Sequence, residues 1–420
     1  MRDTQINRYA ISFSLYGDAA KYSVGMVENV ILARTIYPGW DVIVHIEEGH
    51  YARDRLVSEG AITVDHPKSV GHTGMRWRFE TVDYVYYDRI VIRDADSRVN
   101  PREKAAVDAW IESGKSLHVM RDHKQHRRPI MGGGWGLVVG AVDMSKLMAD
   151  RTWNGKYGDD EDFLANDVWP ILKDDVLQHD SRNGNFPFPS HEPWEGHQSQ
   201  RVEVGDEGFV DAIRAPNVRV VMLSLKKYEK RRKRFHDSLL KNGGFLNRLG
   251  IEVWWATPHQ EMYAPPAFRK VRKRKHWWAA TCDHLKIMEE TIVSGADYLI
   301  LLEDDAEFLV DFEERFWRAW CALPQGWKAM RLGWHVGHAP SEVMIPGVLD
   351  RCDPSSGLML GVLWSKEGLR RAYDHFWHRR KLIIDMAFAD LRRREPKDWY
   401  QPTTPIIVID SKSRQQGRDS

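Results

Sequence analysis

The sequence predicts an α/β protein of two doubly wound domains, each a mixed, mostly parallel sheet flanked by helices. Three observations lead there. Short apolar, β-branched strands alternate with helical periods in both halves of the chain. One strand in each half ends abruptly in acids: Asp88-Arg89-Ile90-Val91-Ile92-Arg93-Asp94-Ala95-Asp96 and Tyr298-Leu299-Ile300-Leu301-Leu302-Glu303-Asp304-Asp305. Finally, 420 residues are too many for one ordinary core and suit two domains of roughly 200 residues each.

In the first half, Tyr9 to Leu15 reads as a strand and Tyr16-Gly17-Asp18 as the turn after it. A helical period through Val24, Val27, Val30, Ile31 and Ala33 runs until Tyr37-Pro38-Gly39 stops it. Asp41 to Ile46 is the second strand and Ala61 to Val64 a short third. Gly74-Met75-Arg76-Trp77-Arg78-Phe79 begins a basic, aromatic helix. Arg78 there can meet a diphosphate or the strand-end acids, and a plain surface helix is the equal alternative. In the strand that follows, residues i and i+2 of an extended chain point the same way. Asp94 and Asp96 can therefore converge on one hard cation, which in turn can hold a diphosphate. A solvated Asp-x-Asp turn is the competing reading.

Pro101-Arg102-Glu103 opens the next helix, through Ala106, Val107, Trp110 and Ile111, and Leu117 to Met120 is the next strand. The run Met131-Gly132-Gly133-Gly134-Trp135-Gly136 permits close backbone approach to a ligand. Gly158-Asp159-Asp160-Glu161-Asp162 opens a helix whose first-turn acids suit the helix dipole as well as catalysis. Val176 to Asp180 closes the half, and its His179 is either structural or the nitrogen ligand of a manganese site.

Residues from about Phe186 to Asn217 are rich in Pro, Gly, His and Glu. This composition break puts the domain boundary between residues 1–215 and 216–420. Val218 to Leu223 starts a fresh strand, Tyr228 to Asn242 is a strongly basic helix, and Glu252 to Ala256 is the next strand. A second basic run, Arg269 to Lys275, precedes a helix carrying His284, Ile287 and Met288.

The totals exclude several classes. A formal net charge of +1 predicts no global attraction to nucleic acid or anionic membrane. Three cysteines without metal-ligand spacing read as free thiols in a reducing compartment. No run approaches membrane-spanning length and no signal core opens the sequence, so no transmembrane segment and a cytoplasmic location are expected. Eighteen tryptophans exceed ordinary usage, and most should be core or subdomain contacts.

Taken together, Tyr16-Gly17-Asp18, Trp77-Arg78-Phe79, Arg93 to Arg98, Met120 to His123 and Gly132 to Gly136 resemble a set of GT-A glycosyltransferase-like proteins. Their order is similar to that of the glycogenin-like transferases. The resemblance implies Asp94, Asp96 and His179 as ligands of Mn2+ (or Mg2+), with Tyr16, Arg78 and Arg93 on the nucleotide-diphosphate sugar. It also places Asp160-Glu161 where that family has a catalytic Asp-Gln pair, with Glu in place of Gln. Residues 218 to 410 resemble glycosyltransferase family 25, the lipooligosaccharide and collagen galactosyltransferase group. There Asp283-His284 falls on a Ser-His pair at the donor, Glu303 and Asp305 on the metal position, and Asp385 on a late acidic position suited to a catalytic base.

Both resemblances imply a tandem GT-A enzyme that moves sugars from nucleotide sugars to a glycan acceptor in two transfers. Two alternatives keep the chemistry. One has a single active domain beside a domain that only binds acceptor. The other uses the basic runs, interleaved with His276-Trp277-Trp278, as a nucleic-acid groove for glycosylating modified DNA bases. A solvated helix face is the plainer account of such runs.

Overall fold

The computed structural model describes residues 8–121, 126–181, 185–189, 217–258, 260, 272–334, 340–352, 360–378 and 384–409. The chain divides into two compact units, Met1–Ile213 and Arg214–Ser420. Both are mixed α/β.

The first unit is built on seven strands: β1 (Tyr9–Leu15), β2 (Asp41–Glu47), β3 (Ile62–His66), β4 (Arg89–Arg93), β5 (Leu117–Arg121), β6 (Gly134–Val138) and β7 (Val176–Asp180). They form one sheet in the order β3-β2-β1-β4-β6-β5-β7. Strands β3, β2, β1 and β4 run parallel, β6 is antiparallel to both its neighbours, and β5 and β7 are parallel. Because the chain winds outward from β1 to β3 and then returns to place β4 on the other side of β1, the order reverses between β1 and β4. Crevices at the carboxyl ends of such strands are where open α/β sheets bind ligands. Tyr16 follows β1 and Asp94 follows β4, so both stand at that reversal.

Local chemistry accounts for the flanking helices. Asn100 caps the helix Pro101–Ser113 by accepting from Glu103 N at 3.0 Å, Pro101 occupies its first turn, and Gly114 ends it at φ +69°. The segment Thr73–Asp83 is helical as expected, but as a 3-10 helix. The helix that begins at Asp159 slips into a π turn over Leu164–Val168 before Trp169–Leu172. Pro170 explains the slip, since it has no N–H to give to the carbonyl four residues back and its ring crowds that carbonyl.

Three aromatic anchors fix the segments around the β4 end. Phe79, Trp135 and Phe163 are fully buried, with Phe79 5.5 Å from Trp135 and 6.2 Å from Phe163, centroid to centroid. Each carries one segment of interest: the 3-10 helix, the glycine run and the helix opened by Asp159. Burying a ring of this size contributes roughly 1.5–3 kcal/mol.

The second unit has an eight-stranded sheet in the order β13-β14-β16-β12-β15-β10-β8-β9 and a separate pair, β11-β17. Its strands are β8 (Val218–Ser224), β9 (Glu252–Trp255), β10 (Tyr298–Glu303), β11 (Ala306–Phe308), β12 (Ala329–Arg331), β13 (Glu342–Ile345), β14 (Leu349–Arg351), β15 (Gly361–Ser365), β16 (Trp399–Pro402) and β17 (Ile407–Ile409). Strands β9, β8 and β10 are parallel and β15 is antiparallel to β10. The first unit has the same run of directions in β2, β1, β4 and β6. Trp364, Phe388 and Trp399 pack edge to face in the core, with centroids 5.3–5.8 Å apart. Among the described residues no helix is long and apolar enough to cross a membrane.

Candidate functional site

Arg78 is the centre of the first unit's site. The 3-10 helix carries it under the carboxyl ends of β1 and β4, where it is 4% exposed. One terminal nitrogen donates to Asp94 Oδ1 and, at 3.3 Å, to the Arg93 carbonyl; the other donates to Asp160 Oδ2 at 3.1 Å. The two carboxylates differ in access: the side chain of Asp94 is 42% exposed and that of Asp160 only 4%. Burial pushes the Asp160 carboxyl above its usual range despite Arg78 beside it. Glu161 is raised for the same reason, partly offset by the Gly132 N–H that its Oε1 accepts at 3.4 Å. Two acids and one guanidinium leave an excess of negative charge on which a cation would be welcome.

The glycine run closes over these groups. A Cβ on Gly133 would overlap Asp94 Oδ2, and one on Gly132 would stand 2.8 Å from Asp160 Oδ2 and 3.0 Å from Arg78. Only glycine lets the backbone approach this closely. On the β1 side, Tyr16 sits edge-on to Trp77 with centroids 5.9 Å apart, and its ring comes within 2.5 Å of a Cβ built on Gly74. Burial raises the Tyr16 hydroxyl above its ordinary pKa, with Arg78 acting the other way. Tyr16, Arg78, Asp94 and Asp160 thus surround one place.

Asp94 reaches the site, but not by the extended geometry the sequence suggests for Asp94 and Asp96. Ser97 N donates to Asp94 O at 3.2 Å, so residues 94–97 form a turn and the extended-chain reason for convergence does not apply. Asn29, buried in the helix Ala20–Ile36, donates to Ala95 O (3.3 Å) and Ser97 O (2.8 Å) and accepts from Val99 N (2.9 Å). That one side chain clamps the acidic turn. Gly25, one helical turn earlier, lets the helix backbone lie against Ala95 O, which a Cβ would overlap.

Three expectations need correction. His179 is not beside the acids: β7 stands three strands from β4 in the sheet, about 14 Å away at ordinary strand spacing. Its Nδ1 lies 2.9 Å from His118 Nε2, and burial lowers its pKa to about 4. Arg93, expected on the donor, is 1% exposed. It pairs with Glu103 at 2.7 Å and donates to Gly133 O at 2.5 Å, so it holds the glycine run from inside. His284 is likewise 1% exposed, with Nδ1 2.7 Å from Ala280 O within its own helix, and is closed to a donor. Its neighbour Asp283 accepts from Thr257 N (2.9 Å) and Thr257 Oγ1 (3.0 Å).

In the second unit the acids end β10 as expected, and a basic helix faces them. Arg231, from the helix Glu229–Asn242, stands 3.6 Å from Asp304 Oδ1 and 3.7 Å from Asp305 Oδ2. Ser224, at the end of β8, donates to Asp304 Oδ2 at 2.5 Å. Burial raises the Asp304 carboxyl, with Ser224 and Arg231 opposing it. Glu303 is half-buried at the last position of β10. Arg232 donates to Leu225 O and Lys226 O, so this part of the basic run folds onto its own strand end. Residues 269–271 of the second basic run lie outside the described residues, and Arg272 to Lys275 open the helix Arg272–Ser294; Asp385 falls in the first turn of the helix Ile384–Arg394.

The sequence reading missed Asn29, Glu103 and Asp304. A polar residue inside an apolar helical period was the available signal for Asn29, and the first-turn acid after Asn100-Pro101 for Glu103.

No family model matches this chain, and no curated protein matches it. Solved structures similar to it include a glycosyltransferase involved in the glycosylation of the major capsid of PBCV-1. That likeness has 14% identity and a TM-score of 0.29, over 41% of this chain and 81% of that one. Another is glucosyl-3-phosphoglycerate synthase from Mycobacterium tuberculosis with phosphoglyceric acid, at 14% identity and a TM-score of 0.30, over 41% of this chain and 69% of that one.

Proposed function

We propose that this chain is a divalent-metal-dependent glycosyltransferase that moves a sugar from a nucleoside diphosphate to a hydroxyl of a glycan acceptor. The observation that supports it best is the meeting of Asp94, Asp160 and Arg78 beneath Gly132–Gly133, at the strand-order reversal between β1 and β4. The residues fit a hard cation such as Mn2+ or Mg2+: Asp94 offers carboxylate oxygen at a half-open strand end, and the bare backbone of Gly133 lets that carboxylate lie against it. Asp94 and Asp96 would hold it, and it would neutralise charge on the leaving diphosphate.

This chain's own groups account for the rest. Arg78 supplies fixed positive charge where the diphosphate charge develops, and Tyr16 walls the β1 side of the crevice. The bond from the anomeric carbon to the phosphate oxygen breaks with its electron pair leaving on the diphosphate. The acceptor oxygen bonds that carbon and gives its proton to a base. Asp160, with its raised pKa, is the carboxylate placed nearest the sugar in this reading. The second unit would run a second transfer with Glu303 and Asp305 at the metal and Asp385 as base, which makes the enzyme bifunctional.

The test is hydrolysis and transfer against a panel of nucleotide sugars, with and without chelator. Turnover that disappears in chelator and returns with Mn2+ is expected. Full activity in excess chelator would overturn the reading.

A further inference from the structure

We propose a second metal site in the first unit, separate from the acidic strand end, formed by His45, His66 and Glu80 and suited to Zn2+ or a similar borderline ion. His45 lies on β2, His66 ends β3, and Glu80 comes from the 3-10 helix Thr73–Asp83. His45 Nδ1 is 2.8 Å from His66 Nε2, and Glu80 Oε2 is 3.9 Å from His66 Nε2. One atom from each residue lies within 4.8 Å of the other two. Ligand atoms at zinc bond lengths of about 2.05 Å stand roughly 3.3 Å apart in a tetrahedron. Small side-chain movements, outward for the two rings and inward for the carboxylate, reach that geometry.

The hydrogen bonds behind His45 set its ring for this role. Ser12 Oγ has one hydrogen and gives it to the Arg78 carbonyl at 2.9 Å. The 2.9 Å contact between Ser12 and Thr81 is then donated by Thr81. Thr81, its hydrogen spent, accepts from His45 Nε2 at 2.6 Å. The proton of His45 therefore sits on Nε2, and the Nδ1 lone pair points at His66. A metal-binding histidine is oriented in this way, with its outer nitrogen donating to a fixed acceptor. His66 is held flat against Trp77, centroids 4.6 Å apart and planes 8° from parallel. Without a metal, Glu80 Oε2 is beyond hydrogen-bond reach of the ring it faces. Access comes from Glu80, whose side chain is 42% exposed, while His45 is fully buried.

Two imidazoles and one carboxylate leave a fourth position open for water or an exogenous ligand. Nitrogen donors also separate this site from the strand-end acids, since imidazole favours Zn2+ and Co2+ whereas carboxylate sets favour Mg2+ and Mn2+.

Cobalt titration of the full chain, stripped of metal by chelation, tests the proposal through the visible absorption of tetrahedral Co2+. One equivalent should give the tetrahedral spectrum, be displaced by Zn2+, and persist in the double variant D94N/D96N. H66Q and E80Q should abolish the tetrahedral spectrum; E80Q alters a partly exposed group and leaves the fold intact by circular dichroism. Thr81→Val, which removes the acceptor behind His45 together with the hydrogen given to Ser12, should weaken binding about 10- to 100-fold. Absence of a tetrahedral spectrum in the wild type would overturn the site. So would an unchanged spectrum in E80Q, or one lost in D94N/D96N.

Discussion

The two acidic strand ends of this protein share a plan and differ in how tightly it is executed. In each, a strand with an acidic end lies parallel to the unit's first strand and antiparallel to a later one, and a helix delivers an arginine between two acids. In the first unit that arginine is buried, donates to Asp94, and reaches Asp160 at 3.1 Å. In the second, Arg231 stands 3.6 and 3.7 Å from Asp304 and Asp305, and a serine supplies the short contact to Asp304. The sheet thus fixes where the acids appear, while the segment delivering the arginine decides how far their charge is already compensated. A buried pair gains from low dielectric but must remain complete; a looser pair costs little to break.

The largest expected difference follows from that. Arg78→Met should lower stability by about 3–5 kcal/mol, because Asp160 is left buried without its cation, whereas Arg231→Met should cost less, because Ser224 still donates to the buried Asp304. Denaturant unfolding of both variants checks this, and equal costs would break the comparison.

Acid should separate the units next. Burial lowers the pKa of His45 to about 3 and of His179 to about 4, and lowers His66 and His118 as well; in the second unit, among the described residues, His284 is lowered. These histidines are neutral when folded and gain protons more readily when unfolded. Their contribution is therefore complete above the unfolded value near 6.5 and is lost as pH falls towards the folded values. In chelator, the first unit should lose stability between pH 7 and pH 4, with each deeply lowered histidine contributing up to about 3 kcal/mol. Hydrogen exchange at both pH values should show faster opening of β2 and β5 than of β8 and β10, and uniform opening would contradict it.

Activity sharpens the comparison further. Asp96→Asn should reduce one transfer about 100-fold, and Asp305→Asn the other, with a smaller loss at Asp305 because Glu303 and Asp304 adjoin it. Assays of each variant against every accepted donor decide this. Loss of all donors from either single change would point to one composite site. The smallest effect concerns the glycine run. Gly133→Ala should cost about 1–3 kcal/mol and weaken Mn2+ binding, since the new methyl must displace Asp94. Unchanged Mn2+ affinity would show that the close approach has no bearing on the cation.

The chain's own order of residues determined a good deal: alternating strands and helices, two strands ending in acids, the Asn100–Pro101 helix start, and a glycine run suited to close approach. These signals are local, resting on side-chain periodicity, backbone dihedral preference and capping, so they are readable in a window of a few residues. Tertiary structure alone decided which of those residues meet. Arg78 and Asp160 are 82 positions apart in sequence and meet where Phe79 and Phe163 pack on each other. His179 fell away from the acids because β7 takes the sheet edge, a matter of strand order that no local pattern encodes. Arg93 was legible as a charge beside the acids, but the pleat turns it inward to Glu103, as it turns His45 towards Thr81. Side-chain period sets which residues share a face, and only the packing of the other elements determines what that face meets.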